Sequence, residues 1–331
     1  MLVLLTGGSG FIAAHILDGL VKRGIPVVTT VRSDNKAKFL AEKYPGHDLK
    51  FEIVPDVAQK DAFNNALKNH KITHILHTAS PFFLNPKDPQ KEILDPAING
   101  TRGILEAAQE HGPGVEHVVI TSSNAAITYY DARHKDPETV YTEKCWSNVP
   151  WEEAINNPAS TYKASKQFAE EAMWNFQKEK NPKFRLTAIN PPYVFGPMKH
   201  DVSAATLNTS NKIVWDIIKS STIGKAGPTY WVDVRDVAEG HIRALERPEE
   251  SANSRWYTVG GIFTPQDVLD VLNEMDEFKG KIPVGEPGSG VPLHSTIPKY
   301  DNSLTNKQSG LKYHTLEESV KDLAKQLNTL E

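Results

Sequence analysis

The sequence is poor in sulfur, with a single cysteine, Cys145, and four methionines in 331 residues. One thiol permits no internal disulfide, which fits a reducing compartment, and Cys145 is read as a free thiol without a role. No apolar run approaches the ~20 residues that a membrane-spanning helix needs. The opening MLVLL is too short for a secretory leader before it meets Thr6-Gly7-Gly8. The expected location is cytoplasmic, with no membrane partner. Positive charge is not in excess: 37 Lys and Arg face 41 Asp and Glu, a net charge of −4. That balance argues against a nucleic-acid partner and leaves small molecules. The twelve histidines show no metal-ligand spacing, so no metal is expected, and His74 and His77 read as strand residues. No repeat or low-complexity linker interrupts the chain. What remains is an ordinary globular composition, 39% apolar and 24% charged, long enough for one large or two joined domains.

Leu2 to Leu5 is an apolar run that breaks into glycines and resumes as FIAAHILDGLVKRG, with Phe11, Ile12, Ile16, Leu17, Leu20 and Val21 at helical spacing. The pattern is strand, tight turn, helix. Its glycines fit two registers of a dinucleotide fingerprint, Gly7 with Gly10 and Ala13 or Gly8 with Gly10 and Ala13. In either, glycine lets the backbone approach a pyrophosphate, and the helix start at Phe11 and Ile12 turns unpaired N–H groups toward it. A second strand, Pro26 to Val31, ends at Arg32, about twenty residues past the glycines, where an NAD-binding chain carries an acid. The guanidinium of Arg32 and the ammonium of Lys36 match a 2′-phosphate, so NADPH/NADP+ is the expected cofactor; Asp34 is the counter-argument, since it could receive ribose hydroxyls.

Strands are further expected at Phe51 to Val54, Ile72 to His77, Val115 to Ile120 and Lys183 to Asn190, with a helix over about 88–109 that carries Asn99. Their carboxyl ends carry Asp56 and Val57, suited to the adenine, then Thr78-Ala79-Ser80, where a cofactor could lie close to the backbone, and Ser122-Ser123. Alternation of strands and helices implies an α/β fold, a Rossmann-type doubly wound parallel sheet with ligands at the strand ends. After residue 190 the alternation breaks. The expected division is a Rossmann domain over 1–190 with a returning segment at about 228–259, and a smaller C-terminal α/β substrate domain over 191–331. Helices are expected after Thr264-Pro265 and after the capping box Thr315-Leu316-Glu317-Glu318.

Tyr162 and Lys166 stand four apart before the helix-forming run Ala164 to Lys180, so a phenol and an ammonium share a helix face. An ammonium nearby favours phenolate, which is expected to lower the tyrosine pKa toward working pH and equip it for proton exchange.

Taken together, TGGSGFIAAH, Arg32 with Lys36, HTAS, NGT, VVITSS, YKASK, NPPYVFGP, VDVRDVA and IPVGEPGSG resemble the extended short-chain dehydrogenase/reductase family over nearly the whole chain. The branch most resembled is that of NADPH-dependent methylglyoxal and isovaleraldehyde reductases, related to dihydroflavonol and cinnamoyl-CoA reductases. The resemblance implies hydride transfer to a small-molecule carbonyl substrate, with Ser123 polarising the oxygen, Tyr162 donating the proton and Lys166 holding the ribose. It maps a supporting asparagine onto Asn99, and it turns Pro191 and the Val194 backbone toward the nicotinamide. Candidate pocket walls are Phe82, Phe83, Thr128, Tyr129, Tyr193, Tyr230 and Trp231, any of which could instead be core. Asp233, Arg235 and Asp236 read as an internal ion-pair network. Two rivals stand beside the reductase: a non-catalytic NADP(H)-sensing regulator and an NAD-dependent nucleotide-sugar epimerase or dehydratase. Nothing in the sequence chooses between monomer and homodimer.

Overall fold

The computed structural model describes residues 1–80, 86–219 and 226–330. The first half alternates β1 (Val3–Thr6), α1 (Phe11–Lys22), β2 (Val27–Val31), α2 (Asp34–Lys43), β3 (Leu49–Ile53), α3 (Asn64–Asn69), β4 (His74–His77), α4 (Asp95–His111) and β5 (His117–Thr121). A short β6 (Val140–Tyr141) and α5 (Trp151–Asn156) precede the long α6 (Pro158–Lys180) and β7 (Arg185–Ile189). The rest runs β8 (Tyr193–Phe195), α7 (Thr209–Lys219), β9 (Thr229–Asp233), α8 (Val234–Glu246), α9 (Pro248–Ser251), β10 (Ser254–Trp256) and β11 (Gly261–Phe263). It closes with α10 (Pro265–Asn273), β12 (Lys299–Tyr300), α11 (Ser303–Ser309) and α12 (Leu316–Leu327).

Seven parallel strands form the main sheet in the order β10-β7-β5-β4-β1-β2-β3. Its central strands are largely apolar because both faces are covered by helices, whereas the edge strand β3, LKFEI, carries Lys50 and Glu52. Leu4, Val118 and Ile120 pack into the core shared with α3, α4 and α6, whereas Val3, Leu5 and Val119 pack into the one shared with α1, α2 and α8. The chain order reverses between β1 and β4, and a crevice opens at the carboxyl ends of such neighbours.

The second half builds its own core from Phe195, Trp231, Phe263, Leu269, Leu272, Val320 and Leu323, where α7, α10 and α12 cover a three-stranded sheet ordered β11-β9-β8. The segment expected to return to the main sheet as one piece divides instead. β9 stays with β8 and β11, α8 packs against α1, and β10 joins β7 at the sheet edge. Several expected boundaries also shift: α4 starts at Asp95 rather than near 88, β3 at Leu49, and α6 at Pro158, six residues before the expected Ala164. Asn157 explains the last, since its side chain accepts from the Ala159 N–H at 3.1 Å and Pro158 fits the first helical position.

Candidate active site

The glycine turn is tight at the first glycine of both registers. Gly7 has φ +71°, and a Cβ there would sit 3.1 Å from the Ala79 Cβ; at Gly8 it would sit 2.1 Å from the Thr29 Oγ1. Gly10 donates to the Gly7 carbonyl at 2.9 Å and caps α1 without a side chain. All three glycines are thus demanded by the backbone, and the first N–H groups of α1, at Phe11 and Ile12, remain free of any acidic neighbour in the first turn. Beside the turn, the Thr6 hydroxyl accepts from the Thr78 and Ala79 N–H groups, both at 3.1 Å, which ties the end of β4 to β1. The buried His77 contacts the same hydroxyl at 3.0 Å; burial first, and then Lys166, push its pKa down to about 3, so it is neutral.

At the end of β2, Arg32 is exposed, as is Asp34 in the first turn of α2. Lys36 is already engaged, 2.8 Å from Asp201. The loop that carries Asp201 is fastened to α1 and α2 by three further contacts: His15 Nε2 donates to the Pro197 carbonyl at 2.7 Å, Lys199 pairs with Asp18, and Lys43 donates to the Lys199 carbonyl. Asp56 is exposed and accepts from the Ala58 N–H at 2.9 Å, a turn contact, while the Val57 carbonyl faces Gly100 of α4.

Ser123 caps the short 3₁₀ turn Asn124–Ala126 that follows β5, accepting from the Ala125 N–H at 3.1 Å. Its side chain is also near enough to Tyr162 to act against the rise of the phenol pKa. One turn further along α6, the Lys166 ammonium lies 5.7 Å from the Tyr162 ring centroid and donates to the Ser80 Oγ at 3.0 Å. Four groups from two strand ends and one helix therefore meet.

The expected lowering of the Tyr162 pKa does not occur in the packed site. Burial raises it, against the Ser123 hydrogen bond that lowers it, and the neighbouring Tyr193 adds to the rise. Lys166 is itself held down to about 8 by burial, so it is a weakened cation rather than a strong one.

Asn99 lies on the exposed face of α4. The α4 residues that line a cavity of about 20 Å³ beside Lys166 and Ser80 are Ala97, Gly100 and Thr101. The helical phase from Gly100 to Asn99 turns the asparagine away, so the expected supporting role has no footing here.

Of the candidate walls, Phe82 and Phe83 lie outside the described residues. Tyr193 is 42% exposed and meets Phe263 edge-on at 6.4 Å. Tyr129 is half-buried, with the Arg133 guanidinium 3.6 Å from its ring centroid and its hydroxyl 3.4 Å from the Cys145 Sγ. Thr128 is buried. Tyr230 and Trp231 belong to the core instead, each 3% exposed: the Tyr230 hydroxyl donates to the Pro298 carbonyl at 2.5 Å, and Trp231 stacks on Phe195. Pro191 and Val194 are also buried; the Pro191 carbonyl accepts from the Asn124 N–H at 2.8 Å, and the Val194 N–H donates to the Ser210 Oγ at 3.3 Å.

Asp233, Asp236 and His314 approach one another closely enough to share an ion, but their atoms are spoken for. Arg235 holds Asp233 at 2.8 Å, and His314 holds Asp236 at 2.6 Å. Sequence reasoning missed Glu170, Arg255 and Asn190, which form a buried network under Ser123. The available signal was spacing, because Glu170 follows Lys166 by four residues as Lys166 follows Tyr162.

The model of the NAD dependent epimerase/dehydratase family matches residues 3–260. The chain belongs to this family, the extended short-chain dehydrogenase/reductases. It is 39% identical over 338 residues to the NADPH-dependent methylglyoxal reductase of Saccharomyces cerevisiae, covering 99% of this chain and 98% of that one. It is also 39% identical over 330 residues to a ketoreductase of Aspergillus niger, covering 97% and 95%. Among solved structures, the yeast methylglyoxal/isovaleraldehyde reductase complexed with NADPH matches with a TM-score of 0.93 at 38% identity, over 99% of this chain and 98% of that one. Among the described residues, no helix is long and apolar enough to cross a membrane.

Proposed function

We propose that the protein is an NADPH-dependent reductase that converts small aldehydes and ketones to alcohols, acting through Ser123, Tyr162 and Lys166. The observation that carries this reading is the convergence of Ser123, Tyr162 and Lys166, with the Lys166 ammonium 5.7 Å from the Tyr162 ring centroid and 3.0 Å from the Ser80 Oγ. The site fits a dinucleotide phosphate: no side chain is tolerated at Gly8, the first N–H groups of α1 suit a pyrophosphate, and Arg32 and Lys36 suit a 2′-phosphate. Bound there, NADPH would supply the hydride to the carbonyl carbon.

The chain's own groups handle the oxygen and the proton. Two hydroxyls, Ser123 and Tyr162, donate to the carbonyl oxygen as it gains negative charge. A phenol pKa raised by burial keeps the proton on Tyr162 until that charge develops, and then Tyr162 gives it up. Lys166, cationic below about pH 8, stabilises the phenolate that remains and is close enough to Ser80 to share ribose hydroxyls with it. Half-buried Tyr129 and open Tyr193 suit an apolar substrate.

The test is to mix the protein with NADPH and separately with NADH, against aldehydes, α-ketoaldehydes, diketones and aryl ketones, while following nicotinamide absorbance. Loss of absorbance with NADPH, faster than with NADH, is expected for at least one class. No loss with any of them would overturn the reductase and favour a sensing role. Conversion of a nucleotide sugar with NAD would favour the epimerase reading instead.

A further inference from the structure

Behind Ser123 lies a charged pair that the reaction as described does not use. Glu170 and Arg255 have side chains only 1% and 7% exposed, and the Arg255 Nε donates to the Glu170 Oε1 at 2.5 Å. Each ion has further partners, as a buried pair requires. The other Glu170 oxygen accepts from the Ser122 hydroxyl at 2.5 Å and from the Asn190 Nδ2 at 2.7 Å. The same Asn190 nitrogen donates to the Ser123 carbonyl at 3.1 Å. Arg255 reaches past Ser123 to the other side of its turn, donating to the carbonyls of Ala126 at 3.1 Å and Glu143 at 3.0 Å. Ser123 is thus fixed from both flanks, through Ser122 and Asn190 on one side and Ala126 on the other.

The two ends of this clamp connect the two halves of the proposed proton-handling site. Tyr162, Lys166 and Glu170 repeat every four residues on α6 and so lie along one face of it, with Trp174 donating to the Glu170 Oε1 at 3.2 Å from the next turn. Ser123 belongs to the end of β5, and Arg255 to β10 at the sheet edge. We propose that Glu170, held by Arg255, is a positioning residue that sets the distance between the Ser123 hydroxyl and the Tyr162 hydroxyl. The inference deepens the reductase reading and rests on it for its kinetic test. Chemistry that needs two hydroxyls on one oxygen tolerates little displacement: a shift of about 1 Å costs roughly 100-fold in rate.

The experiment is a double-mutant cycle between Glu170→Gln and Ser123→Ala, with Kd for NADPH read from nicotinamide fluorescence and kcat referred to the NADPH-binding fraction. Glu170→Gln should lower kcat roughly 10- to 100-fold with Kd changed less than about twofold. In the Ser123→Ala background the same substitution should have almost no effect on kcat, because the group it positions is gone. Additive losses in the cycle, or a kcat loss that vanishes once unfolded protein is discounted, would overturn the proposal. Arg255→Lys, which keeps the charge but loses the fork, serves where Glu170→Gln fails to fold, and should show a smaller loss with the same silence in the Ser123→Ala background. A crystal structure of either single variant gives a readout independent of turnover. The 122–126 turn should shift relative to α6, and an unmoved turn overturns the positioning role whether or not the protein reduces carbonyls.

Discussion

The Lys36 ammonium and the Asp201 carboxylate form a 2.8 Å ion pair between residues 165 apart in the chain. A 2′-phosphate bound at Arg32 must therefore take Lys36 from a partner it already has. Both side chains are partly open, so the pair is worth ~0.2–1 kcal/mol. Asp201→Asn should lower the KM for NADPH about two- to fivefold and leave the KM for NADH unchanged. Arg32→Ala should raise the KM for NADPH roughly 10- to 100-fold, the loss of a charged hydrogen bond. Steady-state kinetics with both nucleotides checks this, and equal effects on the two would separate these residues from phosphate recognition.

Tyr162→Phe keeps the ring and removes the proton. Turnover should fall by roughly 10²–10⁴-fold, with NADPH affinity and Tm nearly unchanged, as measured by stopped-flow and thermal melts. An active Phe variant would exclude Tyr162 as the donor.

Lys166 supplies a pH limit. Its pKa, held down to about 8 by burial, makes it cationic below that value and neutral above it. The rate of carbonyl reduction should be level below about pH 8 and decline above it. In Lys166→Arg, where the cation persists to high pH, the residual rate should lack that decline. A wild-type profile still rising at pH 9 would contradict the assignment.

Five histidines set the acid limit of stability. Burial holds His77 and His117 down to about 3, and His15, His200 and His241 down to about 4, below the ordinary 6.5. The unfolded chain binds these protons first, so their stabilising contribution is complete above about pH 6.5 and is lost as pH falls toward 4 and then 3. Asp236, pushed up to about 6 by burial, and Glu171, also raised by burial, have the opposite sign but are outnumbered, since His74 and His134 are lowered by burial as well. Denaturant midpoints should drop steadily from pH 6.5 to 4, by on the order of a kcal/mol or more per histidine; a flat profile would refute the buried neutral state.

Tyr230 separates core from pocket. Tyr230→Phe leaves the Pro298 carbonyl without its donor and should cost about 1–3 kcal/mol of stability. The KM for any carbonyl substrate should stay the same. A KM change without a stability change would return Tyr230 to the pocket wall.

The main sheet could be read from sequence because parallel strands covered on both faces are rich in apolar and β-branched residues, and β1, β2, β4 and β5 fall within a residue or two of such stretches. The glycine turn was equally readable, since only glycine can stand where Gly8 meets Thr29. Asn99 was misread because helix phase, not proximity to a motif, decides which neighbour of Gly100 turns inward. Tyr230 and Trp231 were placed in a pocket by residue type, and an aromatic on a strand gives no sign of which side is solvent. The direction of the Tyr162 shift depends on how deeply its hydroxyl and Lys166 are desolvated, a property of the packed molecule that a four-residue spacing does not carry.

The 23-residue length of α6 has a bearing on how this protein can be altered. Tyr162, Lys166 and Glu170 ride one rigid rod wedged beside the sheet, whereas Tyr129 and Tyr193 stand on a loop and a short strand apart from it. Libraries that randomise those outlying segments, and spare every residue on the inward stripe of the rod, should retune which carbonyl compounds are accepted without disturbing proton delivery.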